Sequence, residues 1–261
     1  MRTLCVTSGK GGVGKTTLSI NLGIAIARTG RRVLMLDGDL GLANLNVMLG
    51  IIPKLTIHDV VRGHKTLSEI VMPTDYGIDL IAGASGIAEL ADLGESERQN
   101  VMRDLEGLSG YDFLIIDTGA GIGSNVVRFV LAADDALIVT TPHPTSLTDA
   151  YGIIKTVLAE ESKPLKLLVN CATSASDAQR IASRLKGVTD KFMHGTLECI
   201  GHVPDDPLIE KSILAQKPHL LLNPRSASAQ RINEAAMRLL KGSDGDLKSS
   251  LGRFLRKLLG R

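Results

Sequence analysis

Tryptophan is absent from this chain and aromatic residues make up only 3% of it, so the interior has to be built from aliphatic side chains. With 44% of its 261 residues hydrophobic, the chain can still bury one sizeable core of Leu, Ile, Val and Ala. Cysteine is scarce as well. Cys5, Cys171 and Cys199 lie far apart, each inside an apolar run, which argues against a disulfide framework or a cysteine-built metal cluster and suits reduced thiols. No apolar run approaches the length of a transmembrane helix, and Met1 leads almost directly into the first apolar run. Neither a signal peptide nor a membrane span is therefore expected, and the cytoplasm is the expected location. Acids are missing from one stretch: residues 247 to 261 carry Lys248, Arg253, Arg256, Lys257 and Arg261 with no Asp or Glu. The formal net charge of +2 thus splits into a tail of +5 and a body of −3. An acidic body argues against broad nucleic-acid binding, and no specific nucleic-acid partner is expected.

What the chain does have is glycine placed with purpose. Ser8 to Thr17 lies between the apolar run Thr3 to Thr7 and the helical-period run Leu18 to Ala27, so it reads as strand, loop, helix. Gly9, Gly14, Lys15 and Thr16 fill G-x-x-x-x-G-K-[ST], in which backbone N–H groups turn inward around a phosphate and the helix N-terminus adds its positive end. Lys15 would reach the β- and γ-phosphates, and the Thr16 hydroxyl would hold Mg²⁺. Gly9, Gly11 and Gly14 also satisfy G-x-G-x-x-G, with Asp37 further on as a dinucleotide fold requires. Lys15 and Thr16 decide against that reading, because a dinucleotide turn uses neither an ammonium nor a hydroxyl there.

Further apolar runs occur at Arg32 to Asp37, Ile78 to Ala84, Phe113 to Asp117, Ala136 to Thr141, Lys166 to Ala172 and Glu198 to Pro204. Helical-period segments separate most of them, which predicts an α/β fold with a mainly parallel, twisted sheet covered by helices on both faces. Ligands of such sheets sit at the carboxyl ends of the strands. Asp37 and Asp39 leave the second strand pointing the same way, toward the phosphate loop. Asp117 ends a buried strand as a Walker B acid does, delivering one carboxylate to the metal's water shell. Asn170 falls at the end of another run, and Pro204-Asp205 follows the last one.

Lys10 carries the most specific signal. G-K-G-G-V-G-K-T-T, Gly9 to Thr17, resembles the deviant Walker A loop of the MinD/ParA family of ATPases. The resemblance implies a P-loop fold with ATP and Mg²⁺ as ligands and slow hydrolysis of ATP. It also implies an ATP-dependent homodimer in which Lys10 reaches across a two-fold interface to the partner's phosphates. By the same resemblance Gly11, Gly12, Val13, Gly14, Lys15, Thr16 and Thr17 wrap the phosphates, and Asp39 in a switch I segment positions the hydrolytic water. Thr16, Asp37 and Asp117 hold or support the metal, Asp117 to Ile122 forms switch II, and Asn170, Pro204 and Asp205 receive the adenine. The wording of switch II and of residues 168 to 240 resembles the flagellar branch of the family more than the division-site branch. That branch implies partners such as the GTPase FlhF or a flagellar transcriptional activator. A division-site ATPase is the alternative, and a DNA-segregation ATPase is disfavoured by the acidic body.

The organisation expected is a domain at 1–241, a polar linker at 242–246 and a helix at 247–261. Leu251, Phe254, Leu255, Leu258 and Leu259 share one apolar arc, with Arg253, Arg256 and Lys257 on the other. At about 1.5 Å per residue this helix is roughly 22 Å long, enough to lie on an anionic membrane and too short to cross it. An amphipathic helix of this kind can also pack back on its own domain.

Overall fold

The computed structural model describes residues 1–39, 44–83, 104, 108, 110–193, 195–241 and 250–258, without the side chains of 250, 251 and 255. An eight-stranded sheet runs through the molecule. Its strands are β1 (Arg2–Ser8), β2 (Val33–Gly38), β3 (Met72–Pro73), β4 (Asp79–Ile81), β5 (Phe113–Ala120), β6 (Asp135–Thr140), β7 (Leu165–Ala172) and β8 (Leu197–Pro204), in the order β3-β4-β2-β5-β1-β6-β7-β8. All neighbours are parallel except β3 with β4. The expected parallel α/β sheet is thus present. Two details differ from expectation. The antiparallel edge strand β3 is only two residues long and carries Pro73, so it leaves no apolar run to read. The glycines after Asp117 do not end β5, which continues to Ala120.

Alternation along the strands makes two cores. Phe113 and Ile115 of β5 face one layer, with Leu4 and Val6 of β1, while Leu114 and Ile116 face the other, with Cys5. The first layer is roofed by α1 (Lys15–Ala27) and α9 (Ala227–Lys241), reached through the short α7 (Pro207–Leu214) and α8 (His219–Leu222). The second is roofed by α4 (Ser124–Ala132), α5 (Pro144–Glu160) and α6 (Ala175–Phe192). Two short helices, α2 (Leu45–Met48) and α3 (Ile57–Val61), follow β2. The chain builds the β5 side of β1 first and then crosses to the β6 side, so the end of β1 opens at the point where strand order reverses.

The C-terminal helix α10 (Ser250–Leu258) lies on the domain, against α4 and β1. Phe254 is 1% exposed and stacks on Phe129 of α4, with ring centroids 6.5 Å apart, and Leu258 is buried beside it. At the rim Arg253 pairs with Asp134 and Lys257 with Glu161, each at 3.0 Å. Two of the tail's cations therefore meet acids of the body. Arg256 is exposed and bonds back to the Gly252 carbonyl. The linker at 242–246 and Leu259 lie outside the described residues, as do the side chains of Leu251 and Leu255. Among the described residues no helix is long and apolar enough to cross a membrane.

Candidate functional site

The loop after β1 closes onto α1 through Gly14, which caps the helix with a left-handed backbone at φ 85°. A side chain there would also meet the Asn170 amide, since a Cβ would stand 2.3 Å from Nδ2. Gly9 is held as tightly on the other side: a Cβ at this position would fall 2.0 Å from the Asp149 carbonyl oxygen in α5. The loop is thus seated between α5 and the end of β7.

Beneath it the expected acids converge. Asp117 and Asp37 are register partners on β5 and β2, both fully buried. Asp117 accepts from Thr16 Oγ1 at 2.6 Å and Ser19 Oγ at 2.8 Å, with Lys15 Nζ at 3.4 Å. Burial pushes its carboxyl up, while the Lys15 ammonium and these hydrogen bonds pull it down; the net direction is up. Asp37 is pushed up to about 6, chiefly by burial, and its two oxygens accept from the backbone N–H groups of Leu45 and Asp39 at 3.0 and 3.2 Å. Asp37 thereby pins the start of α2 to the end of β2. Asp39 stands beyond it, its carboxylate 3.4 Å from where a Gly119 Cβ would be. Residues 40–43 of the expected switch I segment lie outside the described residues.

Lys10 and Asn170 hold positions that spacing could not give. Lys10 Nζ donates to Thr145 Oγ1 at the first turn of α5, and Thr145 in turn is 3.0 Å from His143 Nδ1. Asn170 is buried, and its Nδ2 donates to the Val13 carbonyl at 2.8 Å. Its Oδ1 is buried with no partner among the described residues. Pro204 and exposed Asp205 stand beside it, with Asp205 N–H donating to the Ala172 carbonyl at 3.2 Å. Val13, Lys15 and Thr17 are buried in the loop, whereas Gly11 and Gly12 are exposed at its tip.

The geometry of a lysine, a hydroxyl and a buried acid under a glycine loop belongs to a family. A family model described as AAA domain matches residues 1–167. The antiactivator FleN of Pseudomonas aeruginosa is 36% identical over 92% of this chain and 86% of its own. The flagellum site-determining protein YlxH of Helicobacter pylori is 33% identical over 98% and 89%. Among solved structures, the septum site-determining protein MinD complexed with Mg-ADP from Pyrococcus horikoshii superposes with a TM-score of 0.72, at 28% identity over 93% and 97% of the two chains. The chain belongs to the MinD/ParA family of ATPases. Sequence reasoning located the MinD/ParA loop and its acids but missed Ser19, Thr145 and His143. Ser19 stands one helical turn after Lys15 on the same face, a spacing that could have flagged it. Thr145 and His143 are more than 130 residues from Lys10 and carried no signal.

A magnesium nucleotide fits these residues on two observations. Among the described residues Asn170 Oδ1 is a buried acceptor with no partner, at the rim; and the groups on Asp117 are an ammonium and hydroxyls, so a divalent cation can take their place on the carboxylate while a phosphate takes the carboxylate's place on Lys15.

Proposed function

We propose that this chain is a flagellar ATPase of the FlhG/FleN type. It binds ATP and Mg²⁺, pairs with a second copy, hydrolyses slowly, and acts at the membrane to set the number or placement of flagella. The flagellar assignment rests on the names borne by its relatives in P. aeruginosa and H. pylori.

In this reading Lys15 leaves Asp117 for the β- and γ-phosphates, while the loop's backbone N–H groups surround them. Thr16 and Asp117 hold Mg²⁺, with Asp37 supporting its water shell; the ion supplies neutralisation of the phosphate oxygens. Asp39 orients the attacking water. Lys10 exchanges Thr145 for the partner subunit's phosphates, so a monomer keeps its second lysine parked. Asn170 carries the proposal. Because Nδ2 is engaged by the Val13 carbonyl, the amide cannot turn over without losing that bond, and Oδ1 is presented as an acceptor. The exocyclic amine of adenine can donate to it; the O6 of guanine would face it as a second acceptor. Pro204 and the Asp205 backbone complete the base wall.

The tail enters the cycle through α4, which follows the switch II glycines directly and carries Phe129 under Phe254. The apolar arc that would enter a membrane is the one docked on the domain. Movement of α4 with nucleotide would release it, and two released helices on one dimer would bind a surface with increased avidity. Hydrolysis assays test the chemistry: ATP is turned over and GTP is not, and Asn170→Asp weakens ATP binding. Sedimentation with anionic liposomes should pellet the protein more with ATP than with ADP, and removal of residues 247–261 should abolish the difference. Deleting the gene should change the count of flagella per cell. Minicells with an unchanged count would overturn the flagellar reading in favour of division-site placement.

A further inference from the structure

His219 is 1% exposed and sits at the centre of a polar network outside the phosphate loop. Its Nε2 lies 2.7 Å from Ser228 Oγ and 2.9 Å from Ser226 Oγ; its Nδ1 lies 3.2 Å from Ser212 Oγ and 3.5 Å from Asn223 Nδ2. Ser228 Oγ donates to Asp206 Oδ2 at 2.5 Å, and Asp206 Oδ1 accepts from the Leu208 N–H at 3.0 Å as the cap of α7. A serine has one proton to give. With that proton on the Asp206 carboxylate, Ser228 can only accept from the ring, so Nε2–H is the donor to Ser228. On the other side of the ring Asn223 Nδ2 donates to Ser212 Oγ at 3.1 Å and the Ser212 hydroxyl donates to the Leu208 carbonyl at 2.7 Å, which ties this side to the first turn of α7. The ring and Asp206 thus hold the Ser228 hydroxyl from opposite sides.

Both ends of this relay reach the nucleotide site. On one side Asp206 follows Pro204 and Asp205, the base wall. On the other, α8 is bolted to α1: buried Asn21 donates through Nδ2 to the Thr17 carbonyl and accepts through Oδ1 from the Leu220 N–H, at 2.7 and 2.8 Å. Arg28 adds a bond to the Leu220 carbonyl at 3.2 Å. The chain of contacts therefore runs from the phosphate helix through Asn21, α8 and His219 to Ser228, Asp206 and the base wall. Buried, mutually satisfied networks fix geometry because every partial break leaves an unpaired group.

We propose that His219 is a positioning residue for base recognition: through Ser228 and Asp206 it fixes the Pro204–Asp205 segment relative to Asn170, so the relay governs affinity for the base half of ATP and leaves the triphosphate half unchanged. This rests on the reading that ATP binds at the loop, and goes beyond it by assigning a residue that touches neither base nor phosphate. The full chain with Mg²⁺ is titrated with ATP, GTP and inorganic tripolyphosphate by calorimetry, in wild type, Ser228→Ala, His219→Leu and His219→Gln. Ser228→Ala and His219→Leu should weaken ATP by roughly tenfold, the size of one lost hydrogen bond to a charged chain, narrow the preference for ATP over GTP, and leave tripolyphosphate within about twofold. His219→Gln, whose amide N–H can replace Nε2–H, should restore most of the ATP affinity. Ser228→Ala removes a single hydroxyl and keeps the test open where His219→Leu fails to fold. Equal losses for ATP and tripolyphosphate, or no loss in either, overturn the proposal. A wild type that binds tripolyphosphate and not ATP, or neither, overturns the nucleotide reading itself, a result distinct from failure of the relay alone.

Discussion

Two seams, one in each layer of the molecule, are built from opposite materials. The loop side is polar and enclosed: Lys15, Thr16 and Ser19 converge on Asp117, and each group is bonded to another. The tail side is apolar at its centre and wet at its rim, with Phe254 and Leu258 buried and the Arg253–Asp134 and Lys257–Glu161 pairs substantially exposed. Enclosed charges attract strongly and punish the loss of any one partner, so the first seam yields only to a ligand that replaces each contact in kind. Burying one or two large apolar side chains contributes about 2–3 kcal/mol each, and exposed ion pairs add about 0–1 kcal/mol. The second seam is thus within reach of membrane binding energies, and the first is not.

The largest break in this contrast is expected from Lys15→Ala. It takes the cation from a buried acid and the phosphate ligand from the loop, so ATP affinity should fall by roughly a hundredfold. Calorimetry reads this directly, and a change under tenfold would place the phosphates elsewhere. Next comes Asp37. Its folded pKa of about 6 exceeds its unfolded value, so the native state holds the extra proton between the two. Stability in the absence of ligand should therefore be highest below about pH 4 as far as this group is concerned and be lost as pH rises to about 6. A rise from 3.8 to about 6 corresponds to at most about 3 kcal/mol. Urea titrations of wild type and Asp37→Asn across that window should diverge by this slope; parallel curves would contradict it.

Legibility in the sequence followed the same divide. Most of the strands that carry the site were readable within a residue because Phe113 to Ile116 or Ala136 to Val139 are buried on both faces and leave unbroken apolar runs, whereas the end of β5 was missed by three residues where Thr118 to Ala120 break the run. The loop was readable because phosphate chemistry fixes residue types at fixed spacing. What was not readable depends on partners distant in the chain: the Val13 carbonyl that orients Asn170, the Thr145 hydroxyl that receives Lys10, and the Phe129 ring under Phe254. An apolar arc is equally suited to a lipid surface or to α4, so periodicity alone could not say where α10 lies.

Phe254→Ala sharpens the comparison on the tail side. Loss of the Phe129 contact should detach α10 before it unfolds the domain, by about 2 kcal/mol. Hydrogen exchange should then show protection lost across 250–258 and kept in α1; simultaneous loss in both would mean the tail is part of the core. The smallest effect is that of the rim pairs. Raising salt, or Lys257→Gln, should weaken docking by less than about 1 kcal/mol and leave ATP binding unchanged. A larger change would make the rim, not the ring stack, the main attachment.

The three cysteines allow the base wall to be watched without adding a residue. Cys5 lies in the middle of the sheet, its thiol pushed up to about 12 by burial, and Cys199 is half-buried and also raised. Cys171 alone is exposed, in a left-handed turn of the backbone at φ 51° directly after Asn170. Its thiol is raised too, so an alkylating dye will need mildly alkaline buffer to reach the thiolate. Once attached, the fluorophore stands one residue from the group assigned to adenine, and its emission becomes a stopped-flow clock for arrival of the base.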